Sequence, residues 1–147
     1  MQMIRDLKVT QRISINADKM KVWAALTDPE TIRQYLYGAE TLTDWNVGSP
    51  IIFQGEVQGQ KWQDKGTILE IQLGQLLRYS YWSGYCGMED LPENYAMVTY
   101  RLESKAGGTL LTITQEGYAS EESRQSSENG WKSILHKIKE IVEAAWR

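Results

Sequence analysis

The chain alternates between two hydrophobic periods. Over residues 7–15, Leu7, Val9, Ile13 and Ile15 fall on one face, with Gln11 among them. Period two is the mark of a half-buried strand, because successive side chains point to opposite faces. Asn16 then offers a helix cap, and residues 19–26 predict a short helix with Met20, Trp23 and Leu26 as its apolar stripe. Asp28 followed by Pro29 predicts a second short helix. Its carboxylate caps the free amides, and proline occupies the first position, where no intrahelical donor is lost. Ile32, Tyr35 and Leu36 give this helix its buried side.

A run of strands follows, predicted over residues 40–45, 51–57, 62–73, 76–82, 95–103 and 109–118. Lys65-Gly66 marks a turn or bulge near the start of the long one, residues 84–93 form a loop, and residues 104–108 form a hairpin turn. Ala96, Val98, Tyr100 and Leu102 share one face, as do Leu111 and Ile113, while Thr112 and Thr114 take the opposite face. The period then changes to that of a helix. Trp131, Ile134, Leu135, Ile138, Ile141, Val142 and Ala145 recur at three- and four-residue spacing. Ser120 can cap this helix ahead of Glu121 and Glu122, although a start nearer Ser127 also fits. Gly130 lies inside it at a cost of about 1 kcal/mol relative to alanine, and permits either a close approach or a bend.

The pattern predicts an α+β domain spanning residues 1–147. It has two short helices after the first strand, a curved antiparallel sheet of six or seven strands, and a long C-terminal helix on one face. No strand–helix–strand repeat supports a parallel sheet. One helix about 10 Å wide cannot fill the concavity of so broad a sheet, so an elongated cavity is expected between them. Its expected lining is Tyr79, Tyr81, Tyr100, Leu111, Ile113, Trp131, Leu135 and Ile138, with Gln115 as the polar contact. Gln115 continues the apolar Leu111 and Ile113 face, and a buried amide must find a partner.

Composition narrows the chemistry. A chain of 147 residues buries roughly two-thirds of its unfolded surface and so needs no disulfide or metal to fold. Cys86 is the only cysteine, which excludes an internal disulfide and suits a reducing compartment. No signal-like run occurs at the N-terminus and no apolar run reaches membrane-spanning length, so a cytoplasmic location is expected, with no membrane partner. The net charge of −3 argues against a nucleic-acid partner. Six Trp and eight Tyr against one Phe suit an amphiphilic pocket or an ordinary half-buried sheet. Cys86 and His136 form no ligand or nucleophile motif: the histidine flanks Leu135 and Ile138 on the helix, and the cysteine sits in a loop. Gly107-Gly108 is a hairpin turn and not a phosphate loop. Neither a metal nor a nucleotide cofactor is expected, and no catalytic residue stands out. Glu56 and Glu70 read as solvent-facing strand carboxylates, and Trp82 shares the outward face with Arg78.

The order of elements resembles the START-like, or SRPBCC, superfamily with its helix-grip fold. Several segments are similar to its heat-shock chaperone ATPase activator-like family: residues 15–30 (INADKMKVWAALTDPE), 47–49, 66–71 (GTILEI), 95–102 (YAMVTYRL), 107–114 (GGTLLTIT) and Gly130-Trp131. The N-terminal block and Gly130-Trp131 are the most specific. The chain departs from the family in lacking a proline near Ala17 or Asp18, and residues 85–92 look particular to it. The resemblance implies binding of a small hydrophobic or amphiphilic molecule. Two further readings stay open: a polyketide cyclase-like enzyme, and a protein-interaction module or chaperone co-regulator. Monomer and homodimer both remain open.

Overall fold

A computed structural model describes residues 2–144. Strand β1, Ile4–Ile15, is followed by helices α1, Lys19–Thr27, and α2, Pro29–Tyr35. Six strands then run in order: β2 (Glu40–Leu42), β3 (Pro50–Val57), β4 (Gln60–Gln72), β5 (Leu76–Ser83), β6 (Ala96–Lys105) and β7 (Gly108–Tyr118). Helix α3, Glu121–Ala144, ends the described chain. Every strand pairing is antiparallel, and the spatial order is β1-β7-β6-β5-β4-β3-β2. Strands β2 to β7 form a meander, and β1 pairs with the last of them. The two short helices carry the chain from one edge of the sheet to the other. This is the α+β helix-on-sheet architecture expected from the two periods, with seven strands.

The caps and turns show why the elements sit where they do. Asp18, and not Asn16, caps α1, its Oδ1 accepting from the amides of Met20 at 3.0 Å and Lys21 at 3.2 Å. The two residues between Ile15 and that cap let Ala17 bury and its carbonyl accept from Thr109 Oγ1 at 2.7 Å. Asp28 caps α2 through the Thr31 amide, with Pro29 in the first turn. The β6–β7 hairpin turns on Ala106 and Gly107, both at positive φ (48° and 83°), the geometry that matches strand twist in a two-residue loop. Ser120 Oγ accepts from the Ser123 amide at 3.1 Å, so α3 starts at the earlier of the two candidate positions.

Four local expectations are corrected. Met20 is 51% exposed, and α1 instead buries Val22, Trp23, Ala25 and Leu26. Val57, which alternates in step with Ile51 and Phe53 and so is expected on their inward face, lies at the open end of its strand and is 61% exposed. Strand β2 stops at Leu42, and Trp45 adopts a positive φ of 62° that no strand accommodates. The β4 bulge falls between Ile68 and Glu70, leaving Leu69 outside the ladder, and not at Lys65-Gly66. Gly66 has a different role: a Cβ there would lie 1.6 Å from the Ser80 carbonyl oxygen, so only glycine allows this backbone approach. Ala145 lies outside the described residues.

The core forms where α3 lies on the sheet. Leu135, Ile138 and Val142 are buried against the side of the sheet carrying Val9, Ile15, Leu111 and Ile113, with Val22 and Leu26 of α1 closing the same cluster. Helix α3 packs on β1 and β7 and touches both short helices. Trp131 meets Tyr100 edge-on, with ring centroids 5.9 Å apart and planes at 81°, a favoured aromatic geometry. Ile138 is wholly buried. The Ile138→Ala variant is therefore predicted to lose about 2–5 kcal/mol, read as a shift of the urea unfolding midpoint. No measurable loss would contradict the packing described.

Candidate functional site

The register across the sheet aligns Val9, Gln115, Val98, Tyr79 and Ile68 in one row. Gln115 is thus the single amide in an otherwise apolar and aromatic row on the concave face. Its Oε1 accepts from the indole Nε1 of Trp131 at 2.9 Å. Because an indole can only donate, this bond fixes which end of the amide faces Trp131 and turns Nε2, with its two hydrogens, the other way. The partner required by a half-buried amide is therefore a side chain of α3.

Beside that bond the helix and sheet separate. A cavity of about 370 Å³ lies between the first half of α3 and strands β3 to β7. On α3 it is bordered by Ser127, Gly130, Trp131 and Ile134, spaced as one face of a helix. Gly130 sits at the centre of that face, and a Cβ built there meets nothing within 4 Å. The helix runs through this position unbroken. Gly130 therefore serves no close approach; it leaves open space at the wall of the cavity. On the sheet the walls are mainly aromatic: Phe53, Trp62, Tyr79, Tyr81 and Tyr118, with Leu36 and Tyr37 at the end of α2. Trp62 lies flat over Gly55, where a Cβ would fall 2.8 Å from its indole nitrogen.

One charged residue enters this lining. Asp64 stands beside Phe53 in the β3–β4 register, on the concave face with Trp62 and Ile68. Its Oδ2 accepts a hydrogen bond from the Tyr81 hydroxyl. Its Oδ1 is shut off from solvent and has no hydrogen-bond partner among the described residues. Burial raises the pKa of Tyr81 well above the ordinary phenol value, and the neighbouring Asp64 charge raises it further, so Tyr81 stays a neutral donor. Burial likewise raises Tyr79 and Tyr100.

Of the residues singled out in the sequence, Tyr79, Tyr81, Gln115 and Trp131 border the cavity. Tyr100 stands behind Trp131 in the closed part of the core, with Leu111, Ile113, Leu135 and Ile138. The sequence pattern gives no sign of Asp64 or Gly130 as lining residues, nor of Trp62, Phe53 or Tyr118. A second, more polar hollow of about 410 Å³ shares Tyr81, Gln115 and Tyr118 as a common wall. The loop holding Tyr85, Cys86 and Met88 borders it. That loop is fastened by Lys65 to Asp90 at 2.6 Å and by Trp82 Nε1 donating to the Met88 carbonyl at 3.2 Å. His136 is exposed on α3, Glu56 is exposed, and Glu70 pairs with Arg78 at 2.9 Å on the outer face. No group of metal-ligating side chains occurs among the described residues, and no described helix is long and apolar enough to cross a membrane.

A seven-stranded antiparallel sheet wrapped on a C-terminal helix, with two short helices after β1, defines the helix-grip architecture of the SRPBCC superfamily, a class associated with small-molecule cavities. The chain belongs to the Activator of Hsp90 ATPase homolog 1-like family, whose profile matches residues 16–143. It is similar to the solution structure of ChR145 from Cytophaga hutchinsonii, with 37% identity, a TM-score of 0.83 and 97% of each chain covered. Protein CV1439 from Chromobacterium violaceum is 24% identical, with a TM-score of 0.76 over 93% of this chain and 97% of that one. The Aha1 dimer from Colwellia psychrerythraea shares the fold at 16% identity, with a TM-score of 0.72 over 92% and 96% of the two chains. No curated protein matches the sequence.

The Asp64–Tyr81 pair generates a stability prediction. Tyr81→Phe leaves the second carboxylate oxygen without its donor and is expected to cost about 1–3 kcal/mol. Combining it with Asp64→Leu, which removes the orphaned charge, should recover part of that loss. Additive losses across the cycle, read by urea unfolding, would show that the two side chains are not coupled.

Proposed function

We propose that this chain binds a small, largely apolar molecule with a polar end, held in the cavity between α3 and the concave face of the sheet. The observation that supports this most is the face of α3 at Ser127, Gly130, Trp131 and Ile134, which leaves a gap at its centre where a packed core would place a side chain. Apolar walls with a few convergent polar groups are the ordinary makeup of a ligand site. Here those groups are the Asp64 carboxylate, the outward end of the Gln115 amide, and the Tyr118 and Ser127 hydroxyls bonded to each other at 2.6 Å. Binding is favoured over proton-transfer chemistry because Tyr81, the phenol nearest the carboxylate, is held neutral and already donates to it. The aromatic walls would supply most of the affinity, at roughly 25 cal/mol for each Å² of apolar surface removed from water before ordering costs are subtracted.

The test uses Nile red, a neutral apolar dye. Its fluorescence is expected to rise on saturable binding to the native chain. Gly130→Leu places a side chain in the gap and is expected to abolish that rise. The same substitution should leave the fold at least as stable, since leucine is favoured over glycine inside a helix by about 0.8 kcal/mol. Undiminished dye binding by a folded Gly130→Leu protein would contradict the reading.

A further inference from the structure

Resting on the cavity as a binding site, we infer that its ligand is a small organic amine carrying its positive charge toward Asp64. The lining contains no Lys, Arg or His, and Asp64 is its one carboxylate. Toward the α3 end, Arg124 is held by Glu121 at 2.7 Å and Glu128 at 3.4 Å. On the outer face, Lys65 is engaged by Asp90 at 2.6 Å. The carboxylate therefore has a single hydrogen bond, from a neutral phenol, and an oxygen with neither solvent nor donor. A carboxylate in that setting lacks a cation, and an ammonium group supplies both the charge and the hydrogens.

The walls point to the same chemistry. Phe53, Trp62, Tyr79 and Tyr81 surround the carboxylate side of the cavity, and aromatic faces attract cations through their quadrupoles. The torsion that orients a carboxylate is soft, so rotation about it turns a carboxylate oxygen toward an incoming ammonium. Three strands away on β7, Gln115 has Oε1 committed to Trp131 and Nε2 directed elsewhere, ready to donate to a carbonyl or hydroxyl oxygen. The ligand class is thus an amine with an aromatic or branched aliphatic body and, at its far end, an acceptor oxygen. A carboxylate ligand such as a fatty acid would meet Asp64 with no cation to offset the repulsion.

Three probes with one body and three head groups test this at pH 7: 2-phenylethylamine, 2-phenylethanol and 3-phenylpropanoate, each titrated against the native chain by calorimetry and amide NMR. The amine is expected to bind more tightly than the alcohol, and at least about tenfold more tightly than the carboxylate. Asp64→Asn keeps an oxygen for Tyr81 and removes the charge; it should weaken the amine about tenfold more than the alcohol. A carboxylate probe that binds as well as the amine overturns the inference while leaving the cavity reading intact. So does an Asp64→Asn protein that retains the amine preference. Nile red binding without binding of any of the three probes also overturns it. Failure of Nile red itself overturns the underlying reading.

Discussion

Everything in this molecule depends on one packing constraint: a single long helix has to bury an apolar stripe on a sheet that curves away from it. The 24 residues of α3 span roughly 36 Å. Over its C-terminal half the constraint is met completely. Leu135, Ile138 and Val142 sink into the row formed by β1 and β7, and Val22 and Leu26 of α1 seal that end. Over its first half the sheet recedes, and the helix presents Ser127, Gly130, Trp131 and Ile134 to a space they do not fill. The closed half supplies the fold, and the open half supplies the cavity.

Trp131 and Gln115 mark the boundary between the two. The indole packs edge-on to Tyr100 on the core side and donates to Gln115 on the cavity side. One residue thus anchors the helix and sets the orientation of the most central polar group on the concave face. The Asp64–Tyr81 pair sits across the space, on strands that α3 does not cover. Polar groups at both ends of an aromatic chamber give a ligand direction as well as affinity, since a misplaced polar atom leaves a buried partner unsatisfied.

The fold was largely legible in the sequence because it follows from two periods. The strand faces of Ala96, Val98, Tyr100 and Leu102, and the helical stripe from Trp131 to Val142, are written as simple alternations that the structure keeps. Four of the nine expected lining residues were legible for the same reason: Tyr79, Tyr81, Gln115 and Trp131 lie on inward faces. What alternation cannot give is how far along the sheet the helix stays in contact, so Leu111, Ile113, Leu135 and Ile138 were placed beside a cavity that opens further along. Asp64 was hidden by the bulge at Leu69. Counting back by twos from the inward Ile71 passes through Leu69, Thr67 and Lys65, and so sends Asp64 outward. Only when the bulge is counted do Trp62, Asp64, Gly66 and Ile68 share the inner face. Gly130 stands out in the sequence for its helix cost, but an empty position declares its use only when its neighbours across the gap are known.

The measurement that bears most directly on this account is a chemical-shift map of the protein titrated with 2-phenylethanol, read at side chains as well as amides. The account predicts the largest changes at the Trp131 and Trp62 indole N–H groups, the Gln115 side-chain amide and the Gly130 backbone amide. The Leu111, Ile113 and Ile138 signals, in the closed half, should move little. Changes confined to the outer face around Lys65, Ser80 and Tyr95, or the absence of any saturable change, would contradict it.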